Sequence, residues 1–386
     1  MSQVHVSFAR RVLRGAVLAG VAAALSGGAA FEAFGKDGGG GGGTVAAYAV
    51  NNLVSNGVLP TPFQDPDLVN TWGVAFNPTG LVWVTNNRSG TSTLYDGLGT
   101  PNALVVTVPP AAASGTGSPT GIVFSGTSDF VVGNGTASGP SRFLFASEDG
   151  LISGWAPNVD LHHAMRAVTT PTADYKGLAV AMSSTGVRLY ATDFHNGRID
   201  MFDGQFRKVS AAGAFFDPTL PAKLYPLGIQ AIGNRLYVTY AKQGGGLASV
   251  MRVAPLDSGS GSGADSVIDL FDANGKFIRR AAASSGARQP WGVALAPADF
   301  GPYANRLLVG DFHDGTISAY DQNTGAFLGQ LADAKGDALK IPGLWGFQFG
   351  NGVNSQPTNA LFFAAGPNGQ GGGVYGSVTL VTAKPR

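Results

Sequence analysis

One short run occurs twice in the chain, as Asp193-Phe194-His195-Asn196-Gly197 and Asp311-Phe312-His313-Asp314-Gly315. Carboxylate and imidazole two residues apart can ligate a divalent ion or set up a histidine as general base. Asp193, His195, Asp311 and His313 are therefore candidate metal ligands, with zinc as one ion that suits them. His195 and His313 are the candidate catalytic residues. The same run also has a structural use. Asn-Gly and Asp-Gly favour type I′ turns, and both aspartates can accept hydrogen bonds from nearby backbone amides. A second candidate set is built of oxygen donors: Asn70, Glu148, Asp174 and Asn368 carry the ligand atoms calcium takes, or they are solvated loop residues. His162-His163 beside Asp160 is a lesser candidate. Trp72, Trp291 and Trp345 each precede a glycine, and they either stack on a sugar or aromatic ligand or wedge into the core.

Other chemistries are excluded. The chain has no cysteine, so disulfides, thiolate metal sites and cysteine nucleophiles are absent. There is no Gly-x-Ser-x-Gly elbow and no His-Glu-x-x-His. Gly275-Lys276 is followed by Phe277, which rules out a Walker loop. Ser147-Glu148-Asp149-Gly150 is near the sialidase-type Asp-box but lacks the residue between Asp and Gly, and reads as a hairpin turn.

The elements that must position these residues follow from composition and repetition. The 386 residues include 58 glycines and 22 prolines, with 44% hydrophobic and 13% charged residues. Glycine without the collagen period, with ample Val, Leu and Phe, points to many short strands and tight turns. A pattern of apolar strands separated by polar turns recurs six times, each copy opening on a glycine: Gly73, Gly121, Gly177, Gly228, Gly292 and Gly346. The spacings of 48, 56, 51, 64 and 54 residues, with strand-only content, indicate propeller blades. The longest copy holds an alternating Ser-Gly run, Ser258 to Gly263, which reads as an inserted loop. The expected fold is an all-β six-bladed propeller over residues 45–386. The strand-like segment Tyr48 to Val54 is expected to supply the outer strand of the last blade, closing the ring and covering a sheet edge.

In such a fold the loops leading into the first strands (Asn70, Ser118, Asp174, Gln289) share one face with those joining second to third strands. The latter carry Asn86, Glu148, Asp193, His195, Asp311, His313 and Asn368. By fold analogy, six-bladed lactonase-like and esterase-like enzymes hold calcium in the central channel with such oxygens.

The hairpin Leu189 to Asp203, and more loosely Leu307 to Asp321, resembles NHL-type propeller repeats. The chain from residue 45 onward resembles a family of exported bacterial six-bladed propellers, some with PEP-type C-terminal sorting signals. The residues that carry the resemblance are Asn52-Leu53-Val54-Ser55, Leu68 to Gly73, the two Asp-Phe-His motifs and Asn359 to Gly376. The chain ends Ala383-Lys384-Pro385-Arg386, without that sorting pattern. The resemblance implies a fold and an exported location.

Residues 1–30 read as a signal peptide: Arg10, Arg11 and Arg14, then an apolar stretch, then small residues before Phe31. Arg10-Arg11 resembles a twin-arginine signal, but Arg14 stands where that signal prefers an apolar residue, so both export routes stay open. Residues 31–44 form a Gly-rich linker. Losing the three arginines turns a net charge of +1 into −2. Without a basic stripe, nucleic acid is not an expected partner. The sequence therefore predicts a periplasmic or extracellular monomer without a transmembrane segment. Its expected role is to bind a small molecule, glycan or envelope protein at the loop face. The alternative is a metal-dependent hydrolase or lyase, with calcium or zinc in the channel.

Overall fold

Each of the six glycines lies in an irregular stretch of an inner strand. In every blade the register between the first and second strands shifts across the residue pair that ends in that glycine, for example between Thr71 and Val74 and between Tyr175 and Leu178. A bulge bends the strand and re-aims one side chain. The glycine lets neighbouring inner strands approach closely. A methyl group on Gly73 would stand 2.7 Å from the Thr120 carbonyl of the next blade, and one on Gly121 would stand 2.6 Å from the Leu178 amide nitrogen. The same holds around the ring, ending with Gly346 at 2.6 Å from the Trp72 carbonyl. Second-strand threonines clip the contact. Thr85 Oγ1 accepts from Gly73 N at 2.8 Å and donates to Thr120 O at 2.7 Å, and Thr192 does the same for Gly177 N and Leu227 O.

The structure, a computed structural model, describes residues 45–243, 266–283 and 289–383. The expected signal peptide and linker, and the Ser258–Gly263 run, lie outside the described residues. Six sheets make the blades, antiparallel throughout except that the short strand Phe63–Gln64 pairs parallel to Val45–Ser55 at the edge of the sixth. Blade 1 is Thr71–Phe76, Val82–Asn86, Thr91–Tyr95 and Pro101–Thr107. Blade 2 is Pro119–Phe124, Phe143–Ser147, Leu151–Trp155 and Met165–Thr169, with a small extra hairpin at Val131–Gly133 and Ser138–Pro140. Blade 3 is Tyr175–Ser183, Gly186–Asp193, Arg198–Asp203 and Lys208–Val209. Blade 4 is Leu224–Ile232, Arg235–Lys242, Ser266–Asp272 and Phe277–Ala283. Blade 5 is Pro290–Leu295, Leu307–Asp311, Ile317–Tyr320 and Phe327–Gln330. Blade 6 is Leu344–Phe349, Leu361–Ala365 and Val374–Ala383, completed by Val45–Ser55 from the other end of the chain. The expected six-bladed propeller with N-terminal closure is what the chain forms.

The core is divided among the interfaces. Each pair of adjacent blades encloses its own cluster of buried side chains, such as Trp83, Phe143 and Trp155 between blades 1 and 2. Leu236, Val238 and Tyr190 do the same between blades 3 and 4. Because the closest approaches rest on the glycines, Gly121→Ala is expected to destabilise the fold by about 1–3 kcal/mol through overpacking against Leu178. Urea unfolding would check this, and an unchanged midpoint would contradict the close-approach argument.

Candidate functional site

The loops leading into the blades and the second-to-third-strand loops do meet on one face. Asn87 N donates to Asn70 O, Glu148 N to Ser118 O, Phe194 N to Asp174 O and Phe312 N to Gln289 O, all at 2.9–3.1 Å. This repeated bond sets the loop face and brings most of the expected site residues to it.

The oxygen-rich candidates assemble around a cation that belongs to the chain. Lys176, in the inner strand of blade 3, is fully buried, and its Nζ forms ion pairs with Glu148 and, at 2.9 Å, with Asp174. The other Glu148 oxygen accepts from Asn87 Nδ2 at 3.1 Å, and Asn87 Oδ1 accepts from Asn70 Nδ2 at 3.0 Å. One polar chain thus runs through blades 1, 2 and 3. Burial works against the Lys176 ammonium, but the Glu148 and Asp174 carboxylates outweigh it and hold its pKa above the ordinary lysine value. Burial raises the Asp174 pKa, with Glu148 adding to the rise and Lys176 opposing it. An ammonium held in its charged form is not a nucleophile, so this lysine serves as a fixed charge.

Lys176 also caps an aromatic pillar. Its Nζ lies 5.3 Å from the centre of the Trp72 ring, a cation–π distance. Trp72 stacks on Trp345 at 3.7 Å, and Trp345 stacks on Phe312 at 3.9 Å. Trp291 meets Trp72 and Trp345 edge-on at 6.3 and 6.2 Å. Four blades thus send side chains together here. Trp72 and Trp345 are core residues, as the wedge reading expects, whereas Trp291 is half-buried. The indole N–H groups of all three are buried without a hydrogen-bond partner among the described residues, as are Asn70 Oδ1 and His313 Nε2.

The two Asp-Phe-His runs do not come together. They stand in blades 3 and 5, with blade 4 between them. Asp193 Oδ1 accepts from the Asp174 and Asn196 amides, both at 3.2 Å. Asp311 Oδ1 accepts from the Gln289 and His313 amides at 2.9 and 3.0 Å. His195 is exposed. Among the described residues no group of three or more His, Asp or Glu side chains is arranged to hold a metal ion. The shared metal site expected from Asp193, His195, Asp311 and His313 is therefore not assembled. The turns also differ from the expected type I′. Gly197 N and Gly315 N close back onto Asp193 O and Asp311 O, and only the glycines have positive φ, not Asn196 or Asp314. Asn368 is exposed in a short turn, with positive φ, and no hydrogen bond or ion pair joins its side chain to the Glu148–Lys176–Asp174 cluster among the described residues. Asn86 is buried and donates to Thr91 and Thr93 within blade 1. His163 pairs with Asp160 at 3.1 Å on the surface.

Lys176 and Asn87 were missed from the sequence, although a signal for Lys176 existed. The residues before the six blade-opening glycines are Trp72, Thr120, Lys176, Leu227, Trp291 and Trp345. A lysine in a register otherwise held by tryptophan, leucine and threonine is out of place on a buried strand unless it is paired.

Uncharacterized protein R648 of Acanthamoeba polyphaga mimivirus is 31% identical over 342 residues, covering 86% of this chain and 80% of that protein. Uncharacterized protein L690 of the same virus is 32% identical over 313 residues, covering 78% and 79% respectively. Among solved structures, a structural-genomics protein of unknown function from Bacteroides thetaiotaomicron VPI-5482 shares the fold. Its TM-score is 0.52 at 11% identity, covering 87% of this chain and 77% of that one. No protein-family model matches the chain.

Proposed function

We propose that this chain, which belongs to the family of the mimivirus proteins R648 and L690, is a binding module that takes a ligand or partner at the loop face around the channel mouth, without a resident metal. The observation that carries this reading is the Lys176 ammonium seated among the oxygen-rich candidates, together with five buried polar atoms of the adjoining strands and loops that lack a hydrogen-bond partner among the described residues. Buried donors and acceptors are nearly always satisfied, so such a concentration marks a place completed by a bound group or by ordered water. The lysine ammonium already pairs with both carboxylates that would attract a divalent ion.

We place the protein outside the cytoplasm, on the strength of the signal-like residues 1–30 and the resemblance to exported bacterial propellers. Among the described residues no helix is long and apolar enough to cross a membrane.

Elemental analysis of the full chain, purified without chelators, is expected to find no stoichiometric zinc or calcium. One tightly held ion per chain, lost in His195→Ala or His313→Ala, would replace this reading with the metal-dependent hydrolase or lyase. A glycan and small-molecule binding screen should give a ligand that perturbs the half-buried Trp291. A screen whose every hit leaves Trp291 unchanged would move the site off the loop face.

A further inference from the structure

A cavity of about 540 Å³ lies between blades 1 and 2, lined by the strand ends opposite the loop face. Its floor is aromatic: Trp83 stacks on Phe143 at 4.1 Å and meets Trp155 at 4.7 Å. Its polar side chains are Asn77, Asn102 and Arg142, and among the described residues no Asp or Glu lines it. Asn77 Oδ1 already accepts from the Thr79 amide and hydroxyl, and Asn102 Oδ1 from the Leu104 amide. Arg142 offers only donors, and the side-chain amide N–H groups of Asn77 and Asn102 make no hydrogen bond among the described residues, while Asn102 Oδ1 keeps one lone pair. Arg142 is exposed and has no ion-pair partner among the described residues.

We propose that this cavity binds an aromatic carboxylate, its ring against the Trp83–Phe143–Trp155 floor and its carboxylate on the Arg142 guanidinium. An aromatic floor, with Trp155 tilted 53° from Trp83, favours an aromatic ring over an aliphatic chain. The exposed Arg142 guanidinium, a donor-only cation, favours an acceptor head group of opposite charge, and it matches a carboxylate in geometry as well as charge. The proposal is independent of the loop-face reading, since the two sites share no residue.

The test is titration of the full chain with 2-naphthoate, followed by the indole N–H resonances of the five tryptophans. Saturable shifts are expected at Trp83 and Trp155 and not at Trp72, Trp291 or Trp345. Arg142→Gln should weaken binding roughly tenfold, the worth of one charge-assisted pair. The neutral isostere 2-naphthalenemethanol should bind the unsubstituted protein about as weakly as the acid binds the variant. Arg88→Gln, at an exposed arginine outside the cavity, should change nothing. Shifts at the channel-mouth indoles instead, equal binding of acid and alcohol, equal weakening by Arg88→Gln, or no saturation would each overturn the proposal.

Discussion

A chain that begins after residue 55 is expected to lose its cooperative fold. The strand Val45–Ser55 pairs with Val374–Ala383 along its whole length, from Val45 opposite Ala383 to Ser55 opposite Val374, with one bulge between Asn52 and Val54. It also serves two blade interfaces. Tyr48 is packed in the cluster between blades 5 and 6, its hydroxyl donating to Phe300 O at 2.8 Å and its amide to Ala332 O at 2.9 Å. Val54 lies in the cluster between blades 6 and 1, with Tyr95 and Tyr375. Removing the strand opens both clusters and leaves a ten-residue edge, a template for aggregation. Near-UV circular dichroism and urea unfolding should show no cooperative transition, and a peptide of residues 45–55 supplied in trans should restore part of it. A finer test is Tyr48→Ala, expected to cost about 3–5 kcal/mol, against about 1 kcal/mol for Tyr48→Phe. A truncated chain that unfolds cooperatively at an unchanged midpoint would show that the ring closes without this strand.

The same strand shows what a sequence of this kind discloses. The six glycines are legible because the constraint is local and steric: a bulged inner strand pressed against its neighbour admits no side chain at Gly73 or Gly346, so the spacing records the blade count. Closure is legible because the last copy lacks a fourth strand while Tyr48 to Val54 has strand character and no partner nearby. The candidate site is legible only in part. Asn70, Glu148 and Asp174 were found because short polar residues at loop positions stand out. Their organising cation was not, because an isolated lysine reads as a solvated surface group. The burial of Lys176 depends on Glu148 from a different blade and on the Trp72 ring from a third. The Asp-Phe-His runs misled for a related reason. Repetition in blades 3 and 5 reflects a recurring turn, in which the aspartate ties down amides while Phe194 and Phe312 pack inward. The copy that opens at Gly228 already sets one blade between them, and the likeness of the two runs does not overcome that separation.

Replacing Lys176 with methionine is expected to destabilise the protein by about 3–5 kcal/mol at neutral pH, the usual result of removing one partner from a buried ion pair. Methionine keeps the volume against Trp72, so the loss reads out the charge rather than a cavity. It leaves Glu148 and Asp174 facing each other with no compensating cation, which raises the Asp174 pKa further. A carboxyl whose folded-state pKa lies above its unfolded value contributes stability that is present at low pH and lost as pH rises through the folded value. The deficit of the variant should therefore be small near pH 4 and grow toward pH 7. The unsubstituted protein behaves differently at the alkaline end. The folded pKa of Lys176 lies above the ordinary 10.5, so its contribution is intact throughout the neutral range and fades only as pH rises past that value. Adding Glu148→Gln to Lys176→Met should recover part of the loss, because one of the two stranded charges is removed with the cation. A double-mutant cycle isolates that coupling. If Lys176→Met were neutral at pH 7, or if its cost did not fall on acidification, the ammonium would not be the charge that holds blades 1, 2 and 3 together. The binding reading of the loop face would then lose its anchor. If the predicted pattern holds, a metal becomes unnecessary to explain why these acidic and amide side chains converge, since the chain carries its own cation to the place where a calcium ion was expected.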